Sequence, residues 1–266
     1  METIGLIAGR GIYPFEWVAG ARRAGVKRIV AAAFEEETDP NLASQVDDIH
    51  WMRVGQLGTL LKTFQKTGVT QAVMAGQIRP GNLFHLKPDI KALLLLSKLK
   101  QRNAETLFSA IAQELAKSGV TLLPATQFLE DQIVPQAWSV GPKIKLRFLD
   151  DARYAFQLAK QMSALDIGQT VVVKKGTVLA VEAFEGTNEA IRRAGALGKE
   201  AIAAKVSKPN QDFRFDVPVI GPQTLEVAAE ANLMAIAVEA EKTLLLQKEK
   251  IIELAFKHHI TILSLN

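Results

Sequence analysis

The sequence predicts an α/β fold in two parts: an amino-terminal Rossmann-like parallel sheet domain and a mixed α/β carboxyl-terminal domain. Three observations predict it. Apolar runs of strand length alternate with stretches of helical spacing from Thr3 to Leu123. The connections between them are short, which suits parallel strands covered by helices. Beyond a stretch at 130–143 that carries Pro135, Gly141 and Pro142, the pattern changes to a helix, a hairpin and further alternating elements.

In order, Thr3–Ala8 reads as a short buried strand closed by Gly9-Arg10-Gly11. Pro14 suits the first turn of a helix, with Phe15, Trp17, Val18 and Ala21 at helical spacing. Strands follow at 27–34 and 48–54, then a helix at 57–64 and a strand at 71–76 that stops at a glycine. Helices at 88–99 and 104–116 and a strand at 120–123 complete the first domain, residues 1–132. Residues 133–143 show no periodicity and read as a linker. In the second domain, residues 144–266, a helix at 150–165 precedes a hairpin, 169–174 with 177–184, turning at Lys175-Gly176. Helices at 188–197, 222–231 and 247–258 then alternate with strands at 201–206, 234–238 and 260–263.

A chain of 266 residues exceeds the usual size of one compact core, and a hydrophobic fraction of 48% is ordinary for a globular protein. The net charge of +4 lacks the basic tracts of a nucleic-acid arm, so no nucleic-acid partner is expected. The absence of cysteine excludes a disulfide scaffold, thiolate metal sites and a cysteine nucleophile, and it suits a reducing compartment. Met1-Glu2-Thr3 leads straight into a strand without an export leader, and 92–96 is far shorter than the ~20 residues of a membrane span. The expectation is a cytoplasmic protein, at most peripheral at the inner membrane. For that contact the candidate is the basic, leucine-rich stretch in which Lys87, Lys91, Lys98, Lys100 and Arg102 surround Ile90, Leu93, Leu94 and Leu95. Such a helix can also shelter an acyl chain, and more often it is simply core on one side and solvated on the other.

Four places could carry chemistry. Gly9, Arg10 and Gly11 stand between a strand and a helix, where tight backbone and helix N–H groups favour a phosphate. Pro14 occupies the third glycine position of a dinucleotide fingerprint, which disfavours a bound NAD. Gly76 and Gln77 close another strand at the same sheet edge, where such folds bind ligands. In Asp212-Phe213-Arg214-Phe215-Asp216, strict alternation predicts an extended strand. Asp212, Arg214 and Asp216 then share one face, neighbours roughly 7 Å apart, able to hold a divalent cation and an anionic oxygen. Lys208 lies just upstream. Finally, Glu182 and Glu185-Gly186-Thr187 open a helix that Thr187 is expected to cap. Plain structural readings, a strand-to-helix turn, a solvated charge stripe and a capped helix, stay open for each. H-E-x-x-H, Gly-x-Ser-x-Gly and Walker A motifs are missing, which narrows the chemistry.

Seven stretches together carry a resemblance: 5–14 (GLIAGRGIYP), 54–61 (VGQLGTLL), 72–80 (AVMAGQIRP), 165–173 (LDIGQTVVV), 178–194 (VLAVEAFEGTNEAIRRA), 208–222 (KPNQDFRFDVPVIGP) and 236–246 (IAVEAEKTLLL). They run in order over nearly the whole chain, and the sequence resembles the LpxI family of UDP-2,3-diacylglucosamine pyrophosphatases. The resemblance implies a two-domain enzyme that hydrolyses this nucleotide-linked glycolipid to UMP and lipid X, with Mg²⁺. It implies backbone donors near Gly9, Gly11, Gly76 and Gln77, and a carboxyl-terminal domain supplying Gln169, Glu182, Glu185, Thr187 and the Asp212/Asp216 pair. Asp216 is the first choice for the essential carboxylate and Asp212 the second, with Asp216 and Glu182 as metal ligands and Lys208 and Arg214 on phosphate. Relatives often read Gly-Asp-Asp where this chain has Arg102-Asn103-Ala104, and Thr-Asp where it has Thr187-Asn188. Other readings are a non-catalytic binder of a nucleotide-linked lipid or sugar, a nicotinamide-dependent oxidoreductase, and an interaction protein with a degenerate site. Pairing into a homodimer is left open.

Overall fold

The computed structural model describes residues 2–79, 88–100 and 104–266. It divides into two compact units, Met1–Leu129 with Asp212–Asp216, and Glu130–Gln211 with Val217–Asn266.

In the first unit, β1 (Thr3–Ala8), β2 (Arg28–Phe34), β3 (Asp48–Met52), β4 (Gln71–Ala75) and β5 (Thr121–Leu122) form a parallel sheet. Its order is β3-β2-β1-β4-β5, so the chain reverses its direction of growth between β1 and β4. The carboxyl ends of those two strands mark the crevice in which doubly wound sheets bind ligands. Short aliphatic residues fill the central strands because both faces are covered: Ile4, Leu6, Val30 and Ala32 have no exposed surface. The covering helices are α1 (Tyr13–Arg23), α2 (Leu57–Thr67), α3 (Ile90–Lys98) and α4 (Ala104–Lys117). Pro14 sits in the first turn of α1, as its fixed φ favours. Asp89 caps α3, its carboxylate accepting from Ala92 N–H (2.9 Å) and from Gly58 N–H (2.7 Å) of α2. Lys87 and Arg102, named above for membrane contact, lie outside the described residues.

The second unit is built on a six-stranded mixed sheet of order β6-β13-β11-β9-β7-β8. Its strands are β6 (Ser139–Val140), β7 (Thr170–Lys174), β8 (Thr177–Val181), β9 (Ile202–Lys205), β11 (Ala235–Glu239) and β13 (Thr261–Leu265). A two-stranded parallel pair, β10 (Val219–Ile220) with β12 (Leu244–Leu245), stands apart from it. On one face α5 (Leu146–Ala164) lays Ala152, Ala155 and Ala159 against Val171, Val173 and Ala204; these small side chains let helix and sheet approach closely. On the other face α6 (Thr187–Leu197), α7 (Pro222–Glu230) and α8 (Lys248–Lys257) pack over Val172, Ala203 and Ile236. Residues 171, 172 and 173 thus alternate between two cores, as a doubly covered strand requires. The β7–β8 hairpin turns at Lys175 (φ 48°) and Gly176 (φ 72°), two left-handed residues in succession. Both of their N–H groups donate to the buried Asp151 carboxylate of α5, at 2.7 and 2.8 Å.

Two stretches differ from their sequence reading. Residues 133–143, read as a linker, belong to the second unit. Val134 enters its core and donates to Thr243 O (2.9 Å), while Ser139–Val140 adds an antiparallel edge strand to β13. Pro and Gly there mark an edge strand rather than a free connection. Asp212–Asp216, read as an extended strand of the second domain, is a turn that packs with the first unit.

Candidate active site

The acidic turn forms because Asp212 bonds locally. Its carbonyl accepts from Phe215 N–H (3.2 Å) and Asp216 N–H (3.0 Å), and its carboxylate accepts from Arg214 N–H (3.1 Å). Short acidic side chains favour this kind of local closure over a strand ladder. The two phenylalanine positions then anchor the turn to the first unit. Phe215 stacks on Phe108 of α4 with ring centroids 5.5 Å apart, and Phe213 O accepts from Ala125 N–H (2.8 Å). Ala125 follows β5, and its own carbonyl accepts from the Tyr13 hydroxyl (2.7 Å) at the start of α1. Burial pushes the Tyr13 phenol above its ordinary range, so it stays a hydroxyl donor. The acidic turn is therefore tied, through Ala125, to the element that follows the 9–11 turn.

Within the turn, the Arg214 guanidinium donates through Nε and Nη2 to the Asp212 carboxylate at 2.9 and 2.6 Å. Arg214 holds the Asp212 carboxyl below the usual range against a smaller upward push from burial, and Asp212 raises the guanidinium in return. Much of Asp212's charge is thus taken up by Arg214.

At the β1 and β4 ends the two glycine turns close on each other. Gly9 N–H donates to Ala75 O (2.8 Å), Arg10 N–H to Gln77 O (2.8 Å) and Gln77 N–H to Arg10 O (3.2 Å). A Cβ on Gly9 would lie 2.6 Å from Gln77 O, and one on Gly76 2.8 Å from Arg10 O, so both positions need glycine. The expectation of phosphate-binding N–H groups at Gly9 and Gln77 therefore meets a correction: those donors are used in the turn itself. What the bridge presents outward is the exposed side chains of Arg10 and Gln77, with Gly11 (φ 90°) open beside them.

An apolar cavity in the same unit is lined by Ile7 and Met74 of β1 and β4, Phe34 of β2, Leu60 of α2, Leu95 of α3 and Phe108 of α4. The sequence reading did not single out this cavity. Its signal was the apolar spacing of α3 and α4, which periodicity alone assigns to ordinary core.

The second unit gathers Glu182, Thr187 and a residue the sequence reading did not name, Lys205. The Thr187 hydroxyl donates to Glu182 Oε1 (3.0 Å) and accepts from Lys205 Nζ (3.0 Å); Lys205 also donates to Val219 O (3.1 Å). Thr170 Oγ1 stands 3.4 Å from Thr187 Oγ1. The cap of α6 is Gly186, so Thr187 is its first helical residue and its hydroxyl serves this cluster rather than the cap. Glu182 Oε2 is buried without a hydrogen-bond partner. An uncompensated buried carboxylate oxygen is costly, and it is a hard oxygen donor of the kind Mg²⁺ takes.

Other named residues are engaged elsewhere. Glu185 is held by Arg193 (2.6 Å), which lowers its carboxyl below the ordinary range, and it accepts from Ala183 N–H (3.1 Å). Lys208 pairs with Asp166, and its N–H donates to the Gln211 side chain (2.6 Å). Gln169 O accepts from Val206 N–H (3.0 Å) beside β9. Among the described residues no cluster of three or more His, Asp or Glu is arranged to hold a metal ion.

Comparison with known proteins decides the family. The family models described as LpxI N-terminal domain and LpxI C-terminal domain match residues 3–132 and 137–263. The chain belongs to the LpxI family. An LpxI relative from Caulobacter vibrioides, named UDP-2,3-diacylglucosamine pyrophosphatase LpxI, is 29% identical over 268 aligned positions, covering 96% of this chain and 94% of the relative. Among solved structures, the biotin carboxylase of Campylobacter jejuni gives a TM-score of 0.30 at 11% identity, over 73% of this chain and 41% of that one. The biotin carboxylase domain of Hydrogenobacter thermophilus 2-oxoglutarate carboxylase gives 0.29 at 13%, over 73% and 40%. Similarity at that level carries no argument, and this chain spans less than half the length of those two.

Proposed function

We propose that this LpxI-family chain hydrolyses the pyrophosphate bond of UDP-2,3-diacylglucosamine to UMP and 2,3-diacylglucosamine 1-phosphate (lipid X) in lipid A synthesis, with Mg²⁺ required. The observation that carries the reading is the double role of Phe108, which lines the apolar cavity and stacks on Phe215 of the acidic turn. A place for acyl chains thus adjoins carboxylates and a guanidinium within one unit, as a molecule both lipid and phosphoanhydride would need.

Breaking a phosphoanhydride calls for neutralised charge and a positioned water more than for a covalent nucleophile. In this reading Asp216 orients the water and takes its proton as the new P–O bond forms, and the bridging oxygen leaves with the departing phosphate. Arg10 and Gln77 contribute donors to phosphate oxygens, and Asp212 acts by fixing Arg214. Glu182 is the carboxylate we assign to Mg²⁺, on the strength of its open Oε2. A Mg²⁺ held there would supply positive charge for phosphate oxygens. Release of UMP from the diacylated substrate, followed by chromatography, tests the proposal. It is expected with Mg²⁺ and to fall about 100-fold with EDTA; intact substrate in the presence of Mg²⁺ or Mn²⁺ overturns it.

Lys205 belongs to the same reading. With its ammonium 3.0 Å from the Thr187 hydroxyl, it provides a fixed positive charge at the start of α6. Lys205→Met is expected to lower kcat/KM about 10²-fold, the scale of losing one charge-stabilising donor, with Lys205→Arg recovering part of it. A lowered melting temperature beside unchanged kcat/KM assigns the residue a packing role instead.

A further inference from the structure

The outer face of α3 is bare. Ile90, Leu93 and Leu94 are 78%, 53% and 56% exposed, and their i, i+3, i+4 spacing aligns them along one side of the helix. Exposed Ser97 continues that side, and exposed Lys98 and Lys100 stand at its carboxyl end. Lys91 is paired with Glu114 (2.9 Å), and Asp89 is taken up as the cap, so no free carboxylate of α3 opposes the two lysines. Single exposed apolar residues are ordinary, but three large ones on adjoining turns form a patch that calls for a partner.

The opposite side of α3 is also apolar, and Ala92, Leu95 and Leu96 line the cavity described above. One nine-residue helix thus has an apolar face on the cavity and another on solvent, with cations at its end. A protein partner would call for a shaped groove, whereas a convex apolar stripe edged by lysines matches the headgroup boundary of an anionic bilayer. We propose that α3 docks this protein on an anionic membrane surface, placing the cavity where a lipid chain can pass into it. The inference goes beyond the hydrolysis proposed above and is tested without measuring it. No helix among the described residues is long and apolar enough to cross a membrane, so the contact is peripheral.

Flotation of the full chain with vesicles tests the docking. The wild type is expected to float with vesicles containing phosphatidylglycerol and to be released by high salt, and to bind pure phosphatidylcholine much less. The Ile90→Ser/Leu93→Ser/Leu94→Ser variant, altered only at exposed positions, should keep its circular dichroism and lose at least about tenfold in partitioning. Lys98→Glu/Lys100→Glu should abolish the preference for anionic vesicles. Failure of the wild type to float, or equal flotation of the triple variant, overturns the proposal. So does a wild-type dimer, seen by sedimentation, that the triple variant dissolves, since a second copy is then the occupant. Because flotation needs no turnover, its result stands whether or not UMP is released.

Discussion

Asp216→Asn is expected to lower kcat about 10³-fold on UDP-2,3-diacylglucosamine while leaving the fold intact. The magnitude is that of removing a positioned acid–base group. The fold should survive because the Asp212 carbonyl, which accepts from the Phe215 and Asp216 N–H groups, and the Asp212 carboxylate, which accepts from Arg214 N–H, are all kept by the substitution. Asp212→Asn should behave differently. It removes the carboxylate that Arg214 grips and lowers kcat less, about tenfold, with a rise in KM from the loosened guanidinium. Steady-state kinetics on the two variants separate the roles: the larger kcat loss at Asp212 exchanges them, and an Asp216→Asn enzyme within threefold of wild type removes Asp216 from the chemistry. Mass analysis of ligand retained by Asp216→Ala gives an independent reading, with a lipid-linked uridine nucleotide as the expected species.

Much of the fold was legible because it rests on local signals. The β-α alternation of the first unit, Pro14 opening α1 and the Lys175-Gly176 hairpin turn each follow from residues within a few positions of one another. The acidic segment was misread for a physical reason. Alternating Phe with Asp and Arg is the pattern of a half-buried strand, but it is also the pattern of a turn anchored by the Phe215 ring and the Phe213 carbonyl, and period alone does not separate them. What decides is Asp212, whose side chain satisfies a backbone donor two residues on. Residues 133–143 were misread because a two-residue edge strand is too short to show a period.

The candidate residues were legible by type, and the contacts among them were not. Glycines, the acidic turn and Thr187 could be named from motifs, whereas Lys205 and the cavity depend on contacts across many elements. The occupation of the Gly9 and Gln77 donors was likewise invisible, since it arises only when β1 and β4 lie side by side. The strand at 235–239, AIAVE, ends its apolar run in a glutamate that becomes one of the most buried charges in the second unit.

That glutamate carries the other large expected effect. Glu239→Gln should destabilise the second unit by about 3 kcal/mol at neutral pH, lowering its melting temperature by about 10 °C. The Glu239 side chain is 8% exposed and accepts from Lys160 Nζ (3.0 Å), Lys242 Nζ (2.9 Å), Ser207 N–H (2.7 Å) and Ser207 Oγ–H (2.7 Å). Lys160 donates onward to Ser207 O (2.9 Å), so the network clamps the backbone just before Lys208. An amide offers one acceptor oxygen where the carboxylate offered two, and it leaves a half-buried ammonium without a counter-charge. Burial pushes the Glu239 carboxyl up, but the donors from Lys242, Ser207 and Lys160 together outweigh it, and the net position is below the ordinary glutamate range. A depressed carboxyl contributes stability that is fully present above its unfolded value, near 4.3, and is lost as pH falls through its folded value. The gap between wild type and variant should therefore be constant from pH 6 to 8 and shrink as the solution is acidified below about pH 4. Ser207→Ala, which removes one of the neutral donors, should cost only about 1 kcal/mol. Thermal unfolding of the three proteins across that pH range checks the assignment; a gap that does not narrow in acid places the loss in packing and not in charge.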